Sequence, residues 1–154
     1  MTPSPSRLPF VDTHDTLVDA SPAATWDALV VVVRASFDRP GSALIARLLG
    51  CEPARRSGQP LTTAGATLPG FQVAAAEPGR LLDLEGRHRF SRYRLVFVLD
   101  PVDDARCRLR AETWAAFPGP AGRAYRALVV GTHGHVLVVR LILALVCRRA
   151  RFSA

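Results

Sequence analysis

Apolar positions along this chain follow a helical period, then a strand period, then a helical period again. After a Pro/Ser-rich opening over residues 1–9, read as a loose tail, the segment VDTHDTLVDA is rich in β-branched residues and predicts a short strand. It gives way to SPAATWDALVVVVRASF. There Ser21 is a good N-cap and Pro22 takes the first helical position, where its missing N–H costs nothing. A helix is therefore predicted from Pro22 to about Arg34. Ala23, Trp26, Val30 and Val33 fall on one face of it, which makes Trp26 a core anchor. The β-branched run Val30–Val33 weakens this helix in isolation, so packing must support it. A second short helix, SALIARLLG, follows DRPG and is closed by Gly50.

The stretch CEPARRSGQPLTTAGATLPG has the Pro, Gly and Thr content of a loop. Beyond it the period becomes two. FQVAAAE, RLLDLEG, RHRFSRYRLVFVLD and ARCRLRAETWAAF are separated by turn signals at Pro78-Gly79 and at Asp100 to Asp104. The last alternates most cleanly. Arg106, Arg108, Arg110, Glu112 and Trp114 point one way, and Cys107, Leu109, Ala111, Thr113 and Ala115 the other, as in an antiparallel strand with one packed face. Its neighbour places Tyr93, Leu95, Phe97 and Leu99 on one face and Arg92, Arg94, Val96 and Val98 on the other.

A long helix is then predicted from about Ala121 to Arg149, some 43 Å at 1.5 Å per residue. Tyr125, Leu128, Val129, Thr132, Val136, Val139, Leu143 and Val146 make one stripe, while Arg126, His133 and Arg140 line the opposite side at sevenfold spacing. Within it, GTHGHVLVVRLILALVC is the most apolar stretch of the chain. As a membrane span it would have to hide Arg140, at roughly 2.5–3.5 kcal/mol, and carry Gly131 and Gly134 as well. A buried helix explains the pattern better, with its extra hydrophobicity taken up by a ligand or a dimer contact. The two glycines either admit the sheet closely, kink the helix over a cavity mouth, or are merely tolerated weak points.

The chain of 154 residues suits one domain, taken as residues 10–150 with a short tail over 151–154, and its 49% hydrophobic content excludes a disordered chain. The net charge of +7 comes entirely from arginine, for there is no lysine. Those arginines are spread from Arg7 to Arg151 without interleaved aromatics, which argues against nucleic-acid binding. Cys51, Cys107 and Cys147 form no metal-binding or redox spacing and read as reduced thiols. The opening MTPSPSRLPF has no apolar signal-peptide core, so a cytoplasmic location is expected.

The segments DTLVDASPAATWDAL, GRLLDLEGRHRFSRYRLVFVLD and RLRAETWAAFPGPAGRAYRALVVGTHGH resemble the START/SRPBCC (polyketide cyclase/dehydrase-like) superfamily, and within it a branch with many actinobacterial members. The resemblance covers roughly residues 12–150. It implies an α+β helix-grip fold, in which a curved antiparallel sheet wraps a long C-terminal helix around an apolar cavity. Members of that superfamily bind or transform lipids, sterols, polyketides and plant hormones, and others act as co-chaperones or toxins. They share no catalytic motif, so the resemblance brings no catalytic residues with it.

The residues themselves carry no nucleophile elbow, P-loop or dinucleotide fingerprint, and no cofactor is expected. No metal is expected either. His133 and His135 stand about 200° apart on a helix, and His14 and His88 have no carboxylate or thiol at ligand spacing. Glu112, Tyr93 and His88 are the candidate catalytic groups. Around the expected cavity stand Trp26, Tyr93, Leu95, Phe97 and Trp114, with Leu128, Thr132 and Val136 from the helix. If Glu112 faces inward, Arg92 or Arg94 is its natural partner, and the pair would orient a polar head or poise an acid. The strand register decides that, since a slip of one residue reverses every side chain. The expected function is binding of a small lipophilic molecule. The alternatives are an aromatase/cyclase-type enzyme on a polyketide-like substrate, and a membrane-associated or partner-binding module using the apolar C-terminal helix. An apolar helix face also makes a homodimer a candidate assembly, whereas the buried-helix reading sets membrane association behind it.

Overall fold

The computed structural model describes residues 8–153, so residues 1–7 of the expected tail and Ala154 lie outside the described residues. The chain order is β1 (Phe10–Val18), α1 (Pro22–Phe37), α2 (Ser42–Leu48), β2 (Thr67–Leu68), β3 (Phe71–Glu77), β4 (Leu81–His88), β5 (Ser91–Asp103), β6 (Arg106–Ala116), α3 (Gly119–Val129) and α4 (Gly134–Ser153). The strands form one antiparallel sheet in the order β1-β6-β5-β4-β3-β2. The meander pairs each strand with the next, and the first strand returns to pair with the last. Register shifts at Phe10/Asp12, Val73/Ala75 and Pro101/Asp103 bend the strands that carry them.

Helix α1 starts as the sequence dictates: the Ala24 N–H donates to Ser21 Oγ at 3.2 Å, with Pro22 at the first turn. It runs three residues past Arg34, because Trp26, Leu29, Val32 and Val33 are buried and compensate the β-branched run. Helix α4 seats Val139, Ile142, Leu143, Val146 and Ala150 in the core, against α1 and β1. It continues to Ser153, through most of what was read as a tail.

The single long helix is corrected to two. Between α3 and α4 the chain bends by 53°. Gly131 N–H reaches back to Arg126 O, and His133 adopts a left-handed φ of 58°. A Cβ on Gly131 would lie 2.3 Å from Ala127 O, so this break tolerates only glycine there. The break also splits the expected stripe. Val139, Leu143 and Val146 are buried, while Leu128 and Thr132 come out to solvent. Among the described residues no single helix is long and apolar enough to cross a membrane; α3 and α4 meet that measure only as a bent pair.

Candidate functional site

Alternation in the sheet decides what faces the helices. Ser91, Leu95, Phe97 and Leu99 of β5, with Cys107, Leu109, Ala111 and Ala115 of β6, are buried on the concave side. At the end of the grip away from the fully buried Phe97, Leu99 and Leu109, the core opens into a cavity of about 410 Å³. Its walls are mainly apolar: Val11, Phe37, Ile45, Leu49, Phe71 and Leu95 on one part, Ala115, Phe117, Val129, Val130, Val138 and Val139 on another. Apart from Ser36, Ser42 and Arg94, its polar lining falls into two groups.

The first group surrounds the β4–β5 turn, where His88 pairs in register with Ser91. The Phe90 N–H donates to His88 Nδ1 at 3.1 Å, which fixes the neutral imidazole's proton on Nε2. That nitrogen then donates to Ser91 Oγ, 3.0 Å away. Burial lowers the His88 pKa, so the neutral form is favoured. His88 is therefore a hydrogen-bond donor here rather than a base for Ser91, and the Ser91 hydroxyl keeps its own proton free. Tyr93 donates to Gly70 O at 2.6 Å. Its ring lies over Gly86, where a Cβ would meet Gly70 O at 2.1 Å and the Tyr93 ring at 2.7 Å. Burial, then the neighbouring Cys51 thiol, raise the Tyr93 pKa well above the ordinary phenol value. Burial likewise raises Cys51 and Tyr125. Phe37, Phe71, Tyr93, His88 and Tyr125 form a chain of ring contacts with centroids 4.6–5.5 Å apart.

The second group joins β1 to the start of α4. Asp12 Oδ2 accepts from His135 Nε2 at 2.6 Å and lies 3.2 Å from His14 Nε2. Burial raises the Asp12 pKa, but hydrogen bonds from His135, Thr113 and His14 outweigh it and leave the carboxyl below its ordinary value. His135 and Thr113 also face the cavity. The His14/His135 juxtaposition was invisible to spacing because 121 positions separate them. A signal existed in β1, where Asp12, His14, Thr16 and Val18 alternate toward the concave face. Among the described residues no set of three His, Cys, Asp or Glu is disposed to hold a metal ion.

Of the expected site residues, Tyr93, His88, Leu95 and Arg94 border the cavity. Arg94, however, turns its guanidinium to the convex face, where it clasps Asp83; the Nε–Oδ1 distance is 2.7 Å and Asp83 is only 2% exposed. Glu112 is corrected by the register. It shares the convex face with Val96 and Asp83 and pairs with Arg110 Nε at 3.1 Å, not with Arg92 or Arg94. Arg92 is exposed on that face. Trp114 stands there too, edge-on to Phe10 at 5.1 Å. Trp26 and Phe97 belong to the filled part of the core, and Leu128, Thr132 and Val136 are not in the cavity wall.

A curved antiparallel sheet closed over a C-terminal helix, with a ligand-sized cavity between them, is the helix-grip fold. No protein-family model matches the chain, and no curated protein matches it. Solved structures do. Norcoclaurine synthase from Thalictrum flavum, in truncated form, is similar with a TM-score of 0.59 at 13% identity, over 93% of this chain and 96% of that one. The same enzyme in complex with dopamine and hydroxybenzaldehyde gives 0.56 at 12%, over 90% and 86%. A conserved protein from Geobacillus kaustophilus gives 0.53 at 14%, over 92% and 95%. At these identities the likeness is one of fold.

Proposed function

We propose that this protein binds a small, planar, largely apolar molecule in the cavity, with a hydrogen-bond acceptor of that molecule directed at Ser91. The observation that carries this reading is an apolar cavity of about 410 Å³ whose polar end is built from aromatic rings in edge-on and tilted contact and from the Ser91 hydroxyl, which accepts from His88 and has its proton uncommitted. Aromatic walls favour flat ligands through offset and edge contacts, and a free hydroxyl donor orients without demanding charge. The Thalictrum enzyme, whose complex holds dopamine and hydroxybenzaldehyde, supports aromatic ligands as an occupant class for this fold.

A catalytic reading, with aromatase/cyclase-type chemistry in the same cavity, has less behind it. The Tyr93 proton is committed to Gly70 O, the His88 proton to Ser91, and Glu112 is on the other face of the sheet. A general base needs a free basic lone pair: that of His88 Nδ1 is taken by the Phe90 N–H, and the neutral Tyr93 phenol is too weak a base.

The test uses 1,8-anilinonaphthalene sulfonate as probe, with native mass spectrometry of protein purified from its own host. Ala115 is buried on the concave face and lines the cavity, so Ala115→Phe places a ring in the empty space. The parent should bind the probe and the variant at least tenfold more weakly, with unfolding by urea little changed. Glu112→Gln should leave binding unaltered. Equal binding by parent and Ala115→Phe would overturn the reading.

A further inference from the structure

The net charge of +7 is unevenly held. On the sheet, the arginines other than Arg92 are partnered: Arg94 with Asp83, Arg108 with Asp15, Arg110 with Asp100 and Glu112, Arg87 with Glu52, Arg106 with Asp103. The helical side differs, although Arg151 of α4 pairs with Asp19. Residues 113–154 contain six arginines and no aspartate or glutamate, and α2 contains no acid either. Among the described residues Arg47, Arg126 and Arg140 are exposed and form no ion pair.

The same side displays large apolar side chains. Leu44, Ile45 and Leu48 of α2 are 60%, 60% and 69% exposed, and Leu128 of α3 and Leu137 of α4 are 64% and 68% exposed. Val138 and Leu141 add to them on α4. Ile45 and Val138 also line the cavity, so this apolar face is continuous with the cavity's mouth. Its core-facing seam, Val139, Ile142, Leu143 and Val146, is buried in the protein, so α4 cannot cross a bilayer without dismantling the grip.

We propose that the face made by α2 and the α3–α4 break docks on an anionic phospholipid surface, with the leucines entering the headgroup boundary and Arg47, Arg126 and Arg140 meeting lipid phosphates. Charge complementarity selects this occupant. A second copy would set arginine against arginine on the symmetric face, and the patch presents leucines where a nucleic acid would need stacking rings. The proposal does not require a filled cavity. A bilayer is, however, where a lipophilic occupant would be met, and the mouth would open onto it.

Sedimentation with sonicated vesicles tests it. Binding to vesicles of 30% phosphatidylglycerol in phosphatidylcholine should exceed binding to pure phosphatidylcholine at least tenfold, and should fall as salt is raised. The double variant Leu137→Asp/Leu141→Asp and the double variant Arg126→Glu/Arg140→Glu should each lose at least tenfold. Val102→Asp, a comparable exposed apolar residue on the β5–β6 hairpin, should bind as the parent does. All these positions are exposed, and circular dichroism with probe binding confirms that each variant is folded. Ala115→Phe should still dock, which separates this surface from the cavity. Equal binding to both vesicle types, or none, overturns the proposal. So does a salt-insensitive dimer that Leu141→Asp dissociates, which would assign the face to a second copy. Capture by polyglutamate but not by vesicles would assign it to an acidic polypeptide and equally overturn it.

Discussion

The two ends of the grip are built on opposite principles. At the filled end, Val18, Leu29, Val33, Phe97, Leu109, Val146 and Ala150 have no exposed surface, and α1 packs on α4 across them. At the open end, α2 is a helix of seven residues with one buried side chain, and α3 buries only Gly122. Hydrophobic residues are as plentiful there, but they border a void and the solvent instead of one another. Burial is concentrated at one end, and the other encloses open space. Apolar content by itself therefore does not mark a core; mutual burial does.

Substitutions at the two ends test that contrast. The largest effect is expected at the filled end. Phe97→Ala should cost about 3–5 kcal/mol in urea unfolding, through lost transfer energy and the cavity left behind. Ile45→Ala at the mouth should stay within about 0.5 kcal/mol, as for an exposed position. Comparable losses at the two sites would mean that the open end is as firmly packed as the other. Next comes Gly86→Ala, which drives a methyl against Gly70 O and the Tyr93 ring. It should cost about 1–3 kcal/mol and weaken probe binding together, since the ring that must move is part of the cavity wall.

Tyr93→Phe keeps the ring and removes the hydroxyl, leaving Gly70 O, a buried acceptor, without this donor. About 1 kcal/mol or somewhat more should be lost by denaturant titration, with probe affinity nearly intact. The smallest effect concerns the joint between β1 and α4. Asp12 has a lowered pKa in the folded protein, so its contribution is present above the ordinary carboxylate value of 3.8 and disappears as pH falls through the lowered one. Asp12→Asn should remove roughly 1 kcal/mol or less, given partial exposure, at near-neutral pH. It should also flatten the stability profile below about pH 4. An unchanged acid limb in the variant would show that the histidine contacts of Asp12 contribute nothing. His88 acts in a separate window. Its pKa is lowered from 6.5, so the folded state resists its protonation and stability should decline as pH drops below that value.

Much of the fold was legible in the chain because local signals and the global arrangement agree. Ser21-Pro22 opens α1, Pro78-Gly79 turns β3 into β4, and the alternation from Arg106 to Ala115 is that of β6. The site was only partly legible. Tyr93, His88 and Leu95 were reachable from the pattern of β4 and β5, whereas the face taken by Glu112, a cavity candidate, hung on the strand register, which turns it away from the cavity. The grouping of Asp12 with Thr113 and His135 was not legible, since nothing in their local sequence pairs them.

By itself the sequence determined the elements, their order, and the two-sidedness of each strand and helix, because period, caps and turn residues act over a few positions. Only the tertiary structure decided which strand face is concave, where the C-terminal helix breaks, and which arginines find a carboxylate. Those outcomes depend on register, on side-chain contacts that span from a few positions to more than a hundred, and on how far the helices can close over a curved sheet before space is left between them.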